Sequence, residues 1–447
     1  MKVINLFENF GQKDLDLAKS LYMADIKHPT VVMNYNGFLP PEAESPFEYY
    51  IDQNSDGKAR YFNQIKHPDL WEVRGNNNVG EVYEIDKKRA NIIYTKPKHL
   101  RLVERVEWLN EAGKVRSIDH YDSHGNLFAK TVCDNEGNHL LQTFFDASGK
   151  EKILRDFTTN RITLKLDQDE VIFDSLVDFV VYYLKERGYD NDDIYYNSLS
   201  LPLLVSLKLA NTGKESDVLF WNEDVGQELP GNMIYLLNNN TRTKKIIIQK
   251  KKVYDKVKSM LPDDKKEMVS YLGTIYPHSR LNTQQKNILI MTNSDQIEHL
   301  KELVENLEGF HFYIGALTEM SSKLLSFDEY SNVTLYPNIV SEVSEKLLKN
   351  CDIYLDINYG NEILDITRIA FRENMLILGF DSTVHNRTFI APENIYQPDL
   401  YMKMTDKIRQ AFGNADILQD LLYKQRVTAD DETIPNYKKI WFFVKKD

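Results

Sequence analysis

Residues 351–390, CDIYLDINYGNEILDITRIAFRENMLILGFDSTVHNRTFI, set two short apolar runs on either side of an amphipathic one. The runs at 352–356 and 375–380 read as strands, the second of them buried on both faces. Between them, about 362–372 repeats with helical spacing. The second strand closes on Gly379-Phe380-Asp381, and Asn386-Arg387-Thr388-Phe389-Ile390 lies just beyond. Strand, loop, helix and buried strand in this order make a unit of an α/β lobe.

This stretch resembles the carboxy-terminal lobe of two-lobed retaining glycosyltransferases, whose pattern there is E-G-F-G-(x)4-E-A, a small Gly-rich turn, Pro, and a strand ending in G-F-D. Alignment on the shared G-F-D puts the first family glutamate at Asn361 and the second at Ile369, and the intervening glycines at Glu362 and Leu364. The resemblance implies that active relatives hold the donor's ribose and sugar hydroxyls with those glutamates. It also implies that the glycines let helix N-terminal amides approach the diphosphate. Neither Asn361 nor Ile369 can carry charge, so tight nucleotide-sugar binding is not expected and no catalytic residue or cofactor is assigned. Asp365 and Glu373 stand eight residues apart and offer a carboxylate pair in a shifted register. That register puts Asp365 inside the expected helix, and both side chains read equally as helix-face charge beside Arg368 and Arg372.

The 447 residues suffice for two or three domains, each with its own core. With 42% hydrophobic and 27% charged residues, the disordered and fibrous classes are excluded. A net charge of −12 argues against general nucleic-acid binding, which needs a basic face. One local cluster, Lys244, Lys245, Lys250, Lys251, Lys252, Lys256 and Lys258, reads as a solvated edge or as a contact for anionic lipid or an acidic partner. The two cysteines, Cys133 and Cys351, fall in different expected domains, so a reducing cytosol fits best. The start, MKVINLFENFG, has no signal-peptide pattern, and no apolar run is long enough to span a membrane.

Outward from the opening stretch, the chain alternates strands and helices except between about 45 and 165. There the tetrads Asn110-Glu111-Ala112-Gly113, Asp122-Ser123-His124-Gly125, Asp134-Asn135-Glu136-Gly137 and Asp146-Ala147-Ser148-Gly149 recur every 12 residues. Each opens with a side chain able to cap a tight turn and closes with a glycine suited to positive φ, between β-rich segments at 115–121, 127–133 and 140–145. These are turns of an antiparallel meander. They lack the alternating carboxylates of a calcium loop, and His120, His124 and His139, read as solvent-facing turn residues, lack zinc-ligand spacing. The meander's edges invite strand addition by a partner.

The expected fold class is α/β: two Rossmann-like lobes with an inserted antiparallel β-meander domain. The expected boundaries are 1–44 and 166–280 for the first lobe, 45–165 for the insertion, and 281–447 for the second lobe, with closing helices crossing back. Val171-Ile172-Phe173 reads as re-entry into the first lobe, and 276–285 as the hinge.

This layout resembles the paired proteins that add the first N-acetylglucosamine to serine-rich repeat adhesins in the bacterial accessory secretion system, and so implies the GT-B glycosyltransferase architecture. One member of that pair is catalytic; the other is a homologous non-catalytic subunit that stabilises it and presents the acceptor. Asn361, Ile369 and Phe371-Arg372-Glu373-Asn374, in place of a Gly-containing turn, align the chain with the second member. The resemblance implies a sister transferase using UDP-N-acetylglucosamine, and the meander's open edges put its docking site on the β-insertion. It further implies a Ser/Thr-rich adhesin as acceptor and cytoplasmic work, with peripheral contact at the membrane's inner face.

For acceptor or glycan contact the candidates are Trp221, Asn222 and Glu223, at the end of an expected central strand of the first lobe. In the second lobe they are Asn293, Ser294, Tyr359, Asn361, Asp381, His385, Asn386 and Arg387, on the equivalent rim. The loop Phe7-Glu8-Asn9-Phe10-Gly11-Gln12 reads either as a plain βα connection or as part of the substrate cleft. No P-loop, G-x-S-x-G motif or metal-ligand set is present. Two other readings stay open: an active transferase using Asp365 and Glu373, and a chaperone that binds unfolded adhesin without any sister enzyme.

Overall fold

The computed structural model describes residues 2–444. It divides into two compact units, Met1–Gly273 with Ile434–Asp447, and Thr274–Thr433.

The first unit holds a seven-stranded sheet in which every pairing is parallel. Its order is Val269–Tyr271, Thr243–Ile248, Asp217–Trp221, Asp193–Tyr196, Val3–Phe7, Thr30–Val32 and Ala43–Glu44. Val3–Phe7 and Asp217–Trp221 are buried at every position, as strands covered by helices on both faces must be. The strand order reverses direction between Val3–Phe7 and Asp193–Tyr196, the place where doubly wound sheets open a crevice at their carboxyl ends. The amino ends are fastened by Arg242 and Asp217, whose buried side chains pair at 3.0 Å while Ser206 and the Ile194 amide also donate to the carboxylate.

The same unit carries a ten-stranded antiparallel sheet, from Glu72–Gly75 to Glu170–Phe173, whose strands lie in chain order. The twelve-residue repeat forms its turns as expected. The Oδ1 atoms of Asn110, Asp122, Asp134 and Asp146 each accept two backbone N–H groups from within their own turn. Gly113, Gly125, Gly137 and Gly149 have φ of 77°, 84°, 94° and 82°. Glu170–Phe173 differs from expectation: its apolar run reads like a buried α/β strand, yet it pairs antiparallel with Ile162–Lys165 and ends the meander. His120 also differs. It lies on the strand Val115–Tyr121 and not in a turn, with Nε2 2.9 Å from Thr131 Oγ1, and burial lowers its pKa to about 4.

The sheet buries opposite faces in its two halves. Val82, Ala90, Ile92 and Val106 line a small core of their own, whereas Ala129, Phe144, Ile153 and Leu164 join the core of the parallel sheet. Val132 and Leu141, paired across two strands, are therefore left 45% and 39% exposed.

The second unit is built on six strands, all parallel, in the order Val333–Tyr336, His311–Ala316, Asn287–Thr292, Ile353–Asp356, Leu376–Phe380 and Ile395–Tyr396. The opening stretch thus folds as two adjacent strands with a crossover helix. That helix, Ile366–Arg372, starts four residues later than its periodicity suggests, because Leu364 and Asp365 both have φ of 55° and break the turn before it. Residues 276–285, read as a hinge, are fastened inside this unit: the buried Asp352 carboxylate takes hydrogen bonds from Arg280, the Thr283 amide and hydroxyl, and the Gln285 amide. The closing helix Ile434–Val444 belongs to the first unit, where the buried Tyr437 donates to the Gly273 carbonyl at 2.7 Å.

Candidate functional site

Asn287–Thr292, Ile353–Asp356 and Leu376–Phe380 are neighbours in the second unit, and the loops leaving their carboxyl ends carry all the candidates assigned to that lobe. The structure therefore brings Asn293, Ser294, Tyr359, Asn361, Asp381, His385, Asn386 and Arg387 to one rim. That rim is occupied by its own side chains. The buried Asp356 carboxylate accepts from the His385 amide at 2.7 Å and from Nδ1 at 2.6 Å, while Nε2 reaches the Gly360 carbonyl at 2.6 Å. A ring that donates from both nitrogens is an imidazolium. The Asp356 bond, opposed by burial, raises the His385 pKa to about 9.

Around this clamp the 357–361 loop has little freedom. Asn358 Oδ1 accepts from the Gly360 amide at 2.7 Å and from Thr292 Oγ1 at 3.3 Å, and the Tyr359 hydroxyl bonds to Glu298. Asn293 lies so close over Gly360 that a Cβ there would sit 1.7 Å from its Oδ1. Ser294 Oγ accepts from the Gln296 amide, and Asn386 Oδ1 from the Thr388 amide. Arg387 pairs with Asp381 at 2.7 Å and holds that carboxyl below its ordinary pKa. Asn361 stays exposed.

At the start of the crossover helix the chain supplies its own anion. Glu362 Oε1 accepts from the Thr367 amide at 3.1 Å, so the chain's own carboxylate sits at the helix start where an anion would bind. Ile369, at the second family-glutamate position, packs into the apolar cluster with Tyr276, Leu364 and Phe389. The shifted pair needs one correction: Asp365 stands at the N-cap of the helix and not within it. The pair still does not converge. Asp365 lies 3.9 Å from Arg368, whereas Glu373 caps the other end of the helix and faces Arg280 at 3.6 Å. A helix of this length separates its ends by about 10 Å.

The first unit is open where the second is filled. A cavity of about 260 Å³ lies at the carboxyl ends of four neighbouring strands. Glu8, Asn9, Lys13, Asp14 and Leu17 come from the loop and helix after Val3–Phe7; Asn197 and Ser198 follow Asp193–Tyr196; Asn222 and Glu223 follow Asp217–Trp221; Gln249 follows Thr243–Ile248. Asp14 caps its own helix, accepting from the Gly11 amide at 2.7 Å, and also accepts from Asn197 Nδ2. Burial raises its pKa against these bonds.

Of the first-lobe candidates, Asn222 and Glu223 line this cavity, but Trp221 does not. Its ring is 1% exposed and belongs to the core, because the inward face of a central parallel strand is covered by helices. Sequence reading passed over Asp14, Asn197 and Gln249. Their shared signal is position just after expected strands, which converge only once the strand order is known. Among the described residues no cluster of His, Cys, Asp and Glu suits a metal ion.

Four family models cover most of the chain: the GtfB N-terminal domain over residues 4–50, the GtfB middle domain over 71–174, the GtfB third domain over 176–260, and the GftB/GlyA-F C-terminal domain over 288–425. The chain is 42% identical over 440 residues, 98% of both chains, to a Streptococcus agalactiae protein named UDP-N-acetylglucosamine–peptide N-acetylglucosaminyltransferase stabilizing protein GtfB. A chain in the crystal structure of a GtfA/B complex bound to UDP and GlcNAc matches with 37% identity and a TM-score of 0.92, over 98% of this chain and 99% of that one. TarM, at 14% identity and a TM-score of 0.52 over 100% of this chain and 99% of its own, is similar in fold alone.

Proposed function

The chain belongs to the GtfB family of transferase-stabilizing proteins, and from that premise we propose that it holds a Ser/Thr-rich polypeptide for a catalytic sister enzyme that adds the first N-acetylglucosamine. It has the GT-B architecture and acts as a non-catalytic, stabilizing subunit of a protein O-GlcNAc transferase complex. The observation that carries this reading is the Glu362 carboxylate on the Thr367 amide, with the half-buried Ile369 packed against the apolar cluster beside it. The helix start and the two positions that would serve a nucleotide sugar are taken by an anion, an amide and a hydrocarbon.

The sister enzyme docks on the antiparallel sheet. Its support is physical: the sheet ends in the edge strands Glu72–Gly75 and Glu170–Phe173, exposed Leu70 and Ile172 lie at those edges, and exposed Ile85 lies in the next turn inward. The acceptor is a serine-rich repeat adhesin, held by hydroxyl and amide groups at the strand ends. The work is cytoplasmic, which suits the free, buried Cys133 and Cys351. No helix among the described residues is long and apolar enough to cross a membrane. A peripheral membrane contact has the lysines of the helix Lys251–Met260 as its support, although Lys251, Lys256 and Lys258 bond within their own unit.

Reconstitution tests the whole reading. Transfer from UDP-N-acetylglucosamine to a Ser-rich peptide is measured with the sister enzyme alone, with this chain alone, and with both. The expected result is no transfer by this chain alone and a rate with both well above that of the sister alone. An unchanged rate on mixing would leave only the chaperone reading.

A further inference from the structure

The cavity of the first unit lies at the strand reversal of a doubly wound sheet, but its charges are wrong for phosphate. Among the described residues, Glu8, Asp14 and Glu223 face it against Lys13. The helix Gln12–Met23, whose start would otherwise offer amides to an anion, is capped by Asp14. A nucleoside diphosphate would meet carboxylates on both counts.

The uncharged groups point to a different ligand. Gln249 is 4% exposed, lines the cavity, and its side-chain amide makes no hydrogen bond among the described residues. Asn197 is oriented by its Nδ2 bond to Asp14, which leaves a buried Oδ1 without a partner. Buried amides left unsatisfied are costly, and each offers a donor and an acceptor to whatever fills the space. A volume of about 260 Å³ lies just under the usual range for small-molecule sites and suits one sugar ring or a few small residues.

We propose that this cavity is a subsite for neutral, hydroxyl- and amide-bearing groups of the acceptor, bound through Gln249, Asn197 and Asn222, and that it excludes nucleotides. The inference rests on the acceptor-holding role proposed above. The shared chemistry has two sources, the Ser/Thr hydroxyls and amides of the bare polypeptide and the hydroxyl and acetamido groups of a sugar already attached to it.

Calorimetric titration of the full-length chain with a Ser/Thr-rich peptide, the same peptide bearing O-linked N-acetylglucosamine, and UDP separates these sources. For Gln249→Met and Asn222→Ala the expected loss is about five- to tenfold in affinity each, the worth of one neutral hydrogen bond. Loss for both peptides identifies the polypeptide as occupant, and loss for the glycopeptide alone identifies the sugar. UDP is expected not to bind the cavity. Should both variants bind both peptides as the unaltered chain does, or should UDP compete with either peptide, the subsite assignment is overturned while the acceptor-holding role stands. Failure of the unaltered chain to bind either peptide removes that role and the subsite with it. Thermal melting checks that the variants fold; should Gln249→Met not fold, the half-buried Asn222 alone decides.

Discussion

The two parallel sheets end in loops of opposite character. In the second unit the strand-end loops bond to one another: His385 bridges Asp356 and Gly360, Asn293 covers Gly360, and Glu362 caps the helix. In the first unit the corresponding ends leave a cavity lined by amides, among them Asn197, whose buried Oδ1 has no partner. One lobe thus presents an open polar cavity at its strand ends, while the equivalent surface of the other is filled by its own side chains.

Perturbing the closed rim should therefore change stability, with the largest effect at Asp356. Replacing it by Ala strands the His385 imidazolium and its amide, and should destabilise the chain by about 3 kcal/mol in denaturant melts. Ile369→Glu, which restores a family carboxylate, should cost about 2 kcal/mol by placing charge among Tyr276, Leu364 and Phe389, and should bring no donor binding. Donor binding by that variant would show that the rim is closed by the residue at 369 alone and not by its whole packing.

A subtler effect is expected with pH. His385 has a folded pKa of about 9 against an ordinary 6.5. A raised pKa means that its contribution is complete below about pH 6.5 and is lost as the pH rises through about 9. After allowance for the ring's partial exposure, about 1–2 kcal/mol should disappear over that window. Asp356→Asn should flatten the profile, and an equal slope in that variant would assign the loss to other groups. At the small end, Arg387→Ala breaks an exposed ion pair and should shift stability by less than about 0.5 kcal/mol.

Much of this contrast was legible in the sequence, in places where local chemistry decides structure. The Asx-to-Gly tetrads gave the meander because each side chain caps its own turn, and the run ending in Gly379-Phe380-Asp381 gave a buried strand because parallel strands are apolar on both faces. What stayed hidden depends on partners distant in the chain. Glu170–Phe173 could not be told from a parallel strand until its pairing with Ile162–Lys165 was seen. The late start of the helix Ile366–Arg372 comes from two left-handed residues, Leu364 and Asp365, that no glycine announces. Trp221 looked like a ligand contact from its neighbours Asn222 and Glu223, yet strand alternation turns it into the core. The cavity itself draws residues from positions 8 to 249, and they meet only through the order of the sheet.

The most direct test is titration of UDP-N-acetylglucosamine into the isolated full-length chain. A rim sealed by Glu362, Ile369 and His385 predicts no saturable heat at millimolar donor. Micromolar binding by the lone chain, abolished in Asp365→Ala, would instead show a donor site in this subunit and favour the active-transferase reading.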